Sequence, residues 1–396
     1  MSVSEWREVT LGDVCDSVSN THPFEKAKLI FLNTSDVYDG SILHNNYSPV
    51  AEMPGQAKKS IKKGDILYSE IRPKNKRYAM VNFDASDYVV STKFMVIRSN
   101  GLIVNKFLYL YLTSNEVLET LQQVAEARSG TFPQITFSQV AELKLNLPPI
   151  PEQKAIVATL SALDDMIELN NKINKTLEEM AQAIFKSWFV DFEPFKNGEF
   201  EESELGLIPK GWRVGVLGDI IDIFDSKRVP LSNRQRSVME KKYPYYGAAT
   251  LMDYVDNYIF DGVYVLLGED GTVMDEKGYP ILQYVWGKFW VNNHAHVLKG
   301  KGVFSDEYLY ILLKNTNVAS IVTGAVQLKI NQNNLTGLKI MIPPEDVVKQ
   351  YNDVVKDIFA CFRSNADEIK ILISLRDTLL PKLISGEIRV PVEEVV

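Results

Sequence analysis

The chain contains the same pattern twice, and this repeat restricts its possible folds more than any other feature. Trp6-Arg7 followed by Leu11-Gly12-Asp13-Val14 returns as Trp212-Arg213 followed by Leu217-Gly218-Asp219-Ile220. At the far end of each copy, the segment Ile135–Pro149 returns as Ile330–Pro344, with Leu143-Lys144-Leu145 answering Leu338-Lys339-Ile340. The offset is 206 at the tryptophans and 195 at the prolines, so the first copy carries 11 more residues between the same landmarks. Loops of different length on a shared scaffold produce that pattern. Two large repeats in 396 residues also agree with domains of roughly 100–200 residues.

Each proline pair opens a long segment of helical periodicity. In the first segment, Ile156, Leu160, Leu163, Ile167, Asn170, Asn174, Leu177, Ala181, Ile184 and Trp188 follow one another at alternating steps of four and three. Tyr351, Val355, Ile358, Phe362, Asn365, Ile369 and Leu372 do so in the second, and Leu379 and Leu383 continue it after a slip near Leu375. This is the seam of a coiled coil. The order block, helix, block, helix predicts that the two helices pack antiparallel under a pseudo-two-fold axis, the first of them about 58 Å long. Asn170 and Asn365 hold equivalent seam positions and are expected to pair, fixing the register at some expense of stability.

The fold class expected is α+β: two tandem globular domains, at residues 1–150 and 206–344, separated by two long antiparallel helices at 151–192 and 345–385. A Pro/Gly/Glu-rich linker is expected at 193–205 and a C-terminal tail at 386–396. Short apolar runs such as Tyr88–Val90, Phe94–Ile97 and Gly262–Leu267 predict strands. Phe107–Val124 and Asp306–Thr316 predict helices.

The net charge of −8 gives no hint of a polyanionic partner, but its distribution does. Acidic excess is confined to 151–205 and 343–396, and the two repeat blocks are close to neutral. Within the first, Lys58, Lys59, Lys62, Lys63, Arg72, Lys74, Lys76 and Arg77 stand against only Asp65 and Glu70. Within the second, Lys227, Arg228, Arg234, Arg236, Lys241 and Lys242 stand against Glu240. A basic run is often a solvated loop, but two at matched places predict two binding surfaces.

Catalytic signatures are missing. No phosphate loop occurs, and Gly211, Gly215 and Gly218 have the wrong spacing for a dinucleotide turn. Asn146-Leu147-Pro148-Pro149 differs from the Asn-Pro-Pro-aromatic loop of adenine methyltransferases, because a leucine intervenes and Ile150 replaces the aromatic. His294 and His296 could face one side of a strand as metal ligands, but no third ligand cluster accompanies them in sequence, so no metal site is expected. Cys15 and Cys361 are too isolated for a zinc site and are expected to be buried and reduced. No apolar stretch approaches a membrane span, and a cytoplasmic protein is expected.

On these residues the chain resembles the specificity subunits of type I restriction-modification enzymes, over nearly its whole length. The most specific stretches are Pro244–Thr272 with Val291–Leu298, and the closing Leu375–Ile388. In the first block Gly64–Val81 and Ser91–Arg98 look like a different subtype, with Ser91-Thr92-Lys93-Phe94 standing where Asn293-His294-Ala295-His296 stands later. The resemblance implies a non-catalytic subunit with two target-recognition domains, each reading half of an interrupted double-stranded DNA site. It further implies helices that dock two modification and two restriction subunits. S-adenosylmethionine, ATP and Mg²⁺ would act in those partners, and this chain would hold no cofactor. The other readings are a recognition module of a stand-alone DNA methyltransferase or nuclease, and a coiled-coil protein-binding scaffold.

Candidate DNA contacts follow from side-chain chemistry. Arg72, Lys74, Lys76 and Arg77, with Lys227, Arg228, Arg234 and Arg236, suit phosphates and guanine edges. Thr131 and Gln134, and Gln327 and Lys329, sit on glycine turns before the repeated strand, where backbone can approach DNA. Tyr245, Tyr246 and Gly247, with Asn292, Asn293 and His294, are candidates in the second block, asparagine matching the adenine N6/N7 edge. Tyrosine and histidine on strands are equally often core residues.

Overall fold

The computed structural model describes residues 5–128, 132–324 and 326–391. Two compact units emerge: Met1–Glu168 together with Lys370–Val396, and Leu169–Ile369. Each unit therefore contains one repeat block and a part of both long helices. The helices run from Ile150 to Phe189 and from Glu345 to Ser385. No described helix is long and apolar enough to cross a membrane.

The two blocks share one topology. An antiparallel pair ties the start of each block to its end, Arg7–Thr10 against Lys144–Leu147 and Arg213–Val216 against Lys339–Ile342. The repeated Leu-Gly-Asp makes a short 3-10 turn immediately afterwards, whose leucine is fully buried in both copies. Leu11 N–H bonds the Leu143 carbonyl at 2.9 Å, and Leu217 N–H bonds the Leu338 carbonyl at 2.8 Å. The sequence match is thus the closing clasp of each block.

Between the clasps lie two four-stranded sheets. One is antiparallel: Cys15–Val18, Phe94–Ser99, Ile66–Ser69, Tyr78–Met80 in the first unit, and Ile221–Ile223, Ala295–Gly300, Tyr264–Gly268, Leu282–Val285 in the second. The other contains one parallel pair, Tyr88–Ser91 beside Lys28–Leu32 and Lys288–Val291 beside Tyr243–Tyr246. Short apolar runs rich in β-branched and aromatic residues, buried on both faces in Ile66–Ser69, Phe94–Ile97 and Val265–Gly268, explain the inner strands. The chain passes from the mixed to the antiparallel sheet at Thr92-Lys93 and again at Asn292–His294.

In both units the two helices run antiparallel. In the first, Arg376 reaches Asp164 at 3.0 Å and Arg389 reaches Glu152 at 2.7 Å; in the second, Asn170 reaches Glu368 at 3.2 Å. Every seam residue from Ile156 to Trp188 and from Tyr351 to Leu372 is buried or half-buried, and Phe359 joins them in the core. One pairing differs from expectation. Asn365 bonds Asn174 rather than Asn170, because an antiparallel seam sets position 170 beside Glu368, further along the second helix.

Three further expectations are corrected. Cys361 is exposed, since it precedes the seam residue Phe362 and so turns outward. The helix expected over Phe107–Val124 is two helices, Asn105–Leu112 and Asn115–Arg128, interrupted where Ser114 Oγ accepts the Val117 N–H. Within and beyond the expected linker, Phe200–Ser203 and Gly206–Pro209 form a hairpin, whose tight turn is allowed by Gly206 at φ +98°.

Candidate nucleic-acid interface

Where the chain crosses between sheets, three segments of each unit converge through the same hydrogen bonds. In the first unit, Glu70 N–H bonds the Lys93 carbonyl at 3.0 Å, Ile135 N–H bonds the Glu70 carbonyl at 2.8 Å, and Arg72 N–H bonds the Pro133 carbonyl at 3.2 Å. In the second, Glu269 N–H bonds the His294 carbonyl at 2.8 Å, Ile330 N–H bonds the Glu269 carbonyl at 2.9 Å, and Gly271 N–H bonds the Leu328 carbonyl at 3.0 Å. Ile71 bridges Gln134 as Asp270 bridges Lys329. Backbone amides consumed in this way leave side chains as the variable part of an otherwise equal surface.

This lattice sets the correspondence of the two copies one residue away from the sequence match. Lys93, not Thr92, stands where His294 stands, and Met95 stands where His296 does. Buried Ser91 and buried Asn292 also correspond, their side-chain oxygens accepting the N–H of Lys93 at 3.2 Å and of His294 at 2.8 Å. Asn292 is therefore a turn-holding residue, with its amide directed at Met252.

The surface so assembled exposes Arg72 and Lys93 beside half-buried Gln134 in the first unit, and Asn293, His294, Gln327 and Lys329 in the second. His294 Nδ1 lies 2.5 Å from Asp270, and Lys329 lies 3.3 Å from Glu269. Lys93 was absent from the sequence-derived candidates. The register of the repeated glutamates, Glu70 and Glu269, was the signal that could have found it. Thr131 lies outside the described residues.

The Arg72 loop has an unusual backbone. Arg72 and Lys76 both adopt left-handed conformations, at φ 43° and 54°, on either side of the 3-10 turn Pro73–Asn75. Such residues are held only by surrounding contacts. Here buried Gln122 accepts the Lys74 N–H at 3.2 Å, and Arg72, Lys74, Asn75, Gln122, Glu126 and Pro133 border an open cleft of about 490 Å³. Lys74 is exposed and pairs with Glu119 at 2.7 Å; Lys76 pairs with Asp39 at 3.1 Å.

Several basic candidates are turned inward. Arg77 is half-buried and donates to the carbonyls of Ser35 and Val37 at 3.0 and 3.1 Å. Arg236 is buried over the Tyr245 ring at 4.8 Å. Arg228, with a side chain only 12% exposed, donates to Glu269 and to the Ala295 carbonyl, each at 2.6 Å. A guanidinium enclosed by carboxylates and carbonyls has its charge and donors already engaged. Lys227 and Arg234 remain exposed, Lys227 over the Phe224 ring at 5.0 Å.

The tyrosine candidates are structural too. Tyr245 is 2% exposed and its hydroxyl accepts the Leu231 N–H at 3.0 Å. Tyr246 packs edge-on against Phe289, and burial pushes its phenol up to about 12. Gly247 is buried, with the Met252 sulfur 2.4 Å from where a Cβ would stand.

The two basic patches do not occupy matched places either. Lys58 and Lys59 lie on the strand Ala57–Ser60, whose position in the second unit is held by Phe260–Asp261; residues 227–242 instead precede the strand Tyr243–Tyr246. What recurs is the three-segment convergence and not the patch.

A cluster invisible in the sequence lies beneath this surface in the second unit. Ligand atoms of Asp225, Glu269 and His296 all lie within 4.8 Å of one another, so His296 does have acidic neighbours, contrary to expectation. His296 Nδ1 is 2.6 Å from Asp225 Oδ2, and Nε2 is 2.8 Å from the Ile330 carbonyl. Burial works to raise the pKa of Asp225, but the hydrogen bond and charge of His296 hold it below the usual carboxylate value, helped by Gln332 and the Val297 N–H.

The family model described as type I restriction modification DNA specificity domain matches residues 3–179 and 209–374. The HindI type I restriction enzyme specificity subunit of Haemophilus influenzae is 32% identical, across 98% of this chain and 100% of that protein. The MjaIX specificity subunit of Methanocaldococcus jannaschii is 29% identical over 74% of this chain and 71% of its own length. Among solved structures, the type I restriction-modification S subunit from M. genitalium matches with a TM-score of 0.53 at 16% identity, covering 96% of each chain, a likeness of fold.

Proposed function

The chain belongs to the type I restriction-modification DNA specificity family, and from that premise we propose that each unit reads one half of an interrupted duplex site through its own three-segment surface. The observation that carries this reading is the recurrence of one backbone lattice carrying different side chains: Arg72, Lys93 and Gln134 in one unit, Asn293, His294, Gln327 and Lys329 in the other. Equal scaffolds with unequal polar tips suit two different base sequences. The chain itself performs no chemistry in this reading. Its long helices dock modification subunits, which methylate adenine with S-adenosylmethionine, and restriction subunits, which use ATP and Mg²⁺.

Block exchange tests the proposal. Residues 1–150 are replaced by the first block of another member, the chain is expressed with its modification subunit, and methylated adenines are mapped across the host genome. One half-site should change while the other half and the spacer stay. A swap that alters both half-sites would refute independent reading.

A further inference from the structure

We propose that His296, held as an imidazolium, is the positioning residue of the reading surface in the second unit; the inference rests on that surface facing DNA. The ring is completely buried and both of its nitrogens face acceptors, a carboxylate at 2.6 Å and a backbone carbonyl at 2.8 Å. A neutral imidazole has one donor and one acceptor nitrogen, so either tautomer would set a lone pair against an oxygen lone pair. Asp225 is held as the carboxylate of the pair: Oδ1 accepts the Val297 N–H at 2.9 Å, and Oδ2 accepts Gln332 at 2.6 Å beside the Arg228 guanidinium at 3.4 Å. Opposite an ionised Asp225, only the doubly protonated ring satisfies both acceptors.

The cation joins the three segments from beneath. Nε2 fixes Ile330, next to Lys329 at the base of the turn that carries Gln327. Asp225 fixes the adjoining strand through Val297, while Arg228 holds the carbonyls of Ala295 at 2.6 Å and Asn293 at 3.5 Å, on either side of His294. Glu269, 3.8 Å from His296 Nδ1, anchors Arg228 and Lys329 together. The charged groups facing the ring are thus Asp225 and Glu269, with Arg228 and Lys329 bound to them. The first unit has Met95 at this position, which offers no ring nitrogen to either acceptor. Coordination of a cation by Asp225, Glu269 and His296 Nδ1 would require displacing Arg228 and the proton that Nδ1 shares with Asp225.

Two measurements test the inference. Nitrogen-15 spectra of the histidine-labelled full chain, with the His296 signal identified by its loss in His296→Gln, should show both ring nitrogens protonated. A single protonated nitrogen, or a spectrum that shifts on adding Zn²⁺, would overturn it, whatever the variants do. Next, binding of the chain with its modification subunit is compared on duplexes altered in either half-site. His296→Gln and His296→Met should lose discrimination in the half-site read by the second unit, on the order of tenfold, with discrimination in the other half unchanged. Equal losses in both halves, or full discrimination retained, would remove His296 from this role. A wild-type complex without any sequence preference would instead defeat the DNA-reading proposal and leave the ring assignment standing.

Discussion

Asn365 donates its side-chain amide to Oδ1 of Asn174 at 3.1 Å, and Asn174 passes its own amide to the Phe362 carbonyl at 3.1 Å. Asn174 is only 8% exposed. Sliding the second helix by one seam step would set Phe362 or Ile369 against Asn174 and leave a buried amide unpaired, at about 1–3 kcal/mol. A polar pair therefore fixes the register that apolar residues alone would leave degenerate. Asn174→Leu and Asn365→Leu should be coupled by about 1 kcal/mol in a double-mutant cycle from urea denaturation, whereas Asn170→Leu with Asn365→Leu should add to within about 0.5 kcal/mol.

In the first unit a single buried carboxylate gathers the two ends of the described chain. Glu152, 3% exposed, accepts Trp6 Nε1 at 2.9 Å and Arg389 Nη2 at 2.7 Å, with the guanidinium 5.2 Å over the indole. Burial works to raise its pKa, but the bonds from Arg389 and Trp6 outweigh it and leave the value lowered. A carboxyl whose folded pKa lies below the unfolded one stabilises above the unfolded pKa, and that contribution disappears as pH falls through the folded value. Arg389→Ala should therefore destabilise by about 2 kcal/mol at neutral pH, with the deficit shrinking in acid. Urea midpoints between about pH 7 and about pH 4 check this; a constant deficit would contradict it.

Some of this was legible in sequence and some was not, for physical reasons. The helix seam could be read because spacing of four and three is itself the geometry of a buried stripe. The clasp could be read because Leu-Gly-Asp must bury its leucine in both copies. Contacts were harder, since a basic residue reads the same whether it faces solvent or an internal carboxylate. Arg228 and Lys227 are neighbours with opposite fates. Lys93 was missed because strand register, and not residue likeness, gives it in the first unit the place that His294 holds in the second. The Asp225–His296 pair joins residues 71 apart across a sheet, which no local pattern announces.

Gly300 ends one of the two inner strands of the antiparallel sheet in the second unit, and a Cβ there would stand 2.0 Å from the Phe304 carbonyl oxygen. That oxygen is backbone and cannot swing aside. Gly300→Ala should cost about 1–3 kcal/mol through the enforced shift, whereas Gly55→Ala, where nothing lies within 4 Å, should be nearly neutral. Thermal melts of the two variants distinguish a steric requirement from a general intolerance of substitution.

The exposed cations of the proposed reading surfaces should separate from the internal ones by the way their loss responds to salt. Lys93 and Arg72 are exposed in the first unit and Lys329 in the second, whereas Arg228 is enclosed by Asp225, Glu269 and carbonyls. A cation that neutralises a phosphate releases counterions, contributing roughly 0.9 to the slope of log K against log salt. Lys93→Ala and Lys329→Ala should each flatten that slope by about one while weakening cognate and non-cognate duplexes alike. Asn293→Ala should leave the slope intact and reduce only the preference among bases, since an amide reads an edge and releases no ions. Arg228→Ala should act differently again, lowering the stability of the second unit because buried Asp225 and half-buried Glu269 each lose one charged partner. Titrations of the chain with its modification subunit over several salt concentrations give all four slopes, and if those of Lys93→Ala and Lys329→Ala match wild type, the phosphates do not pass over this surface.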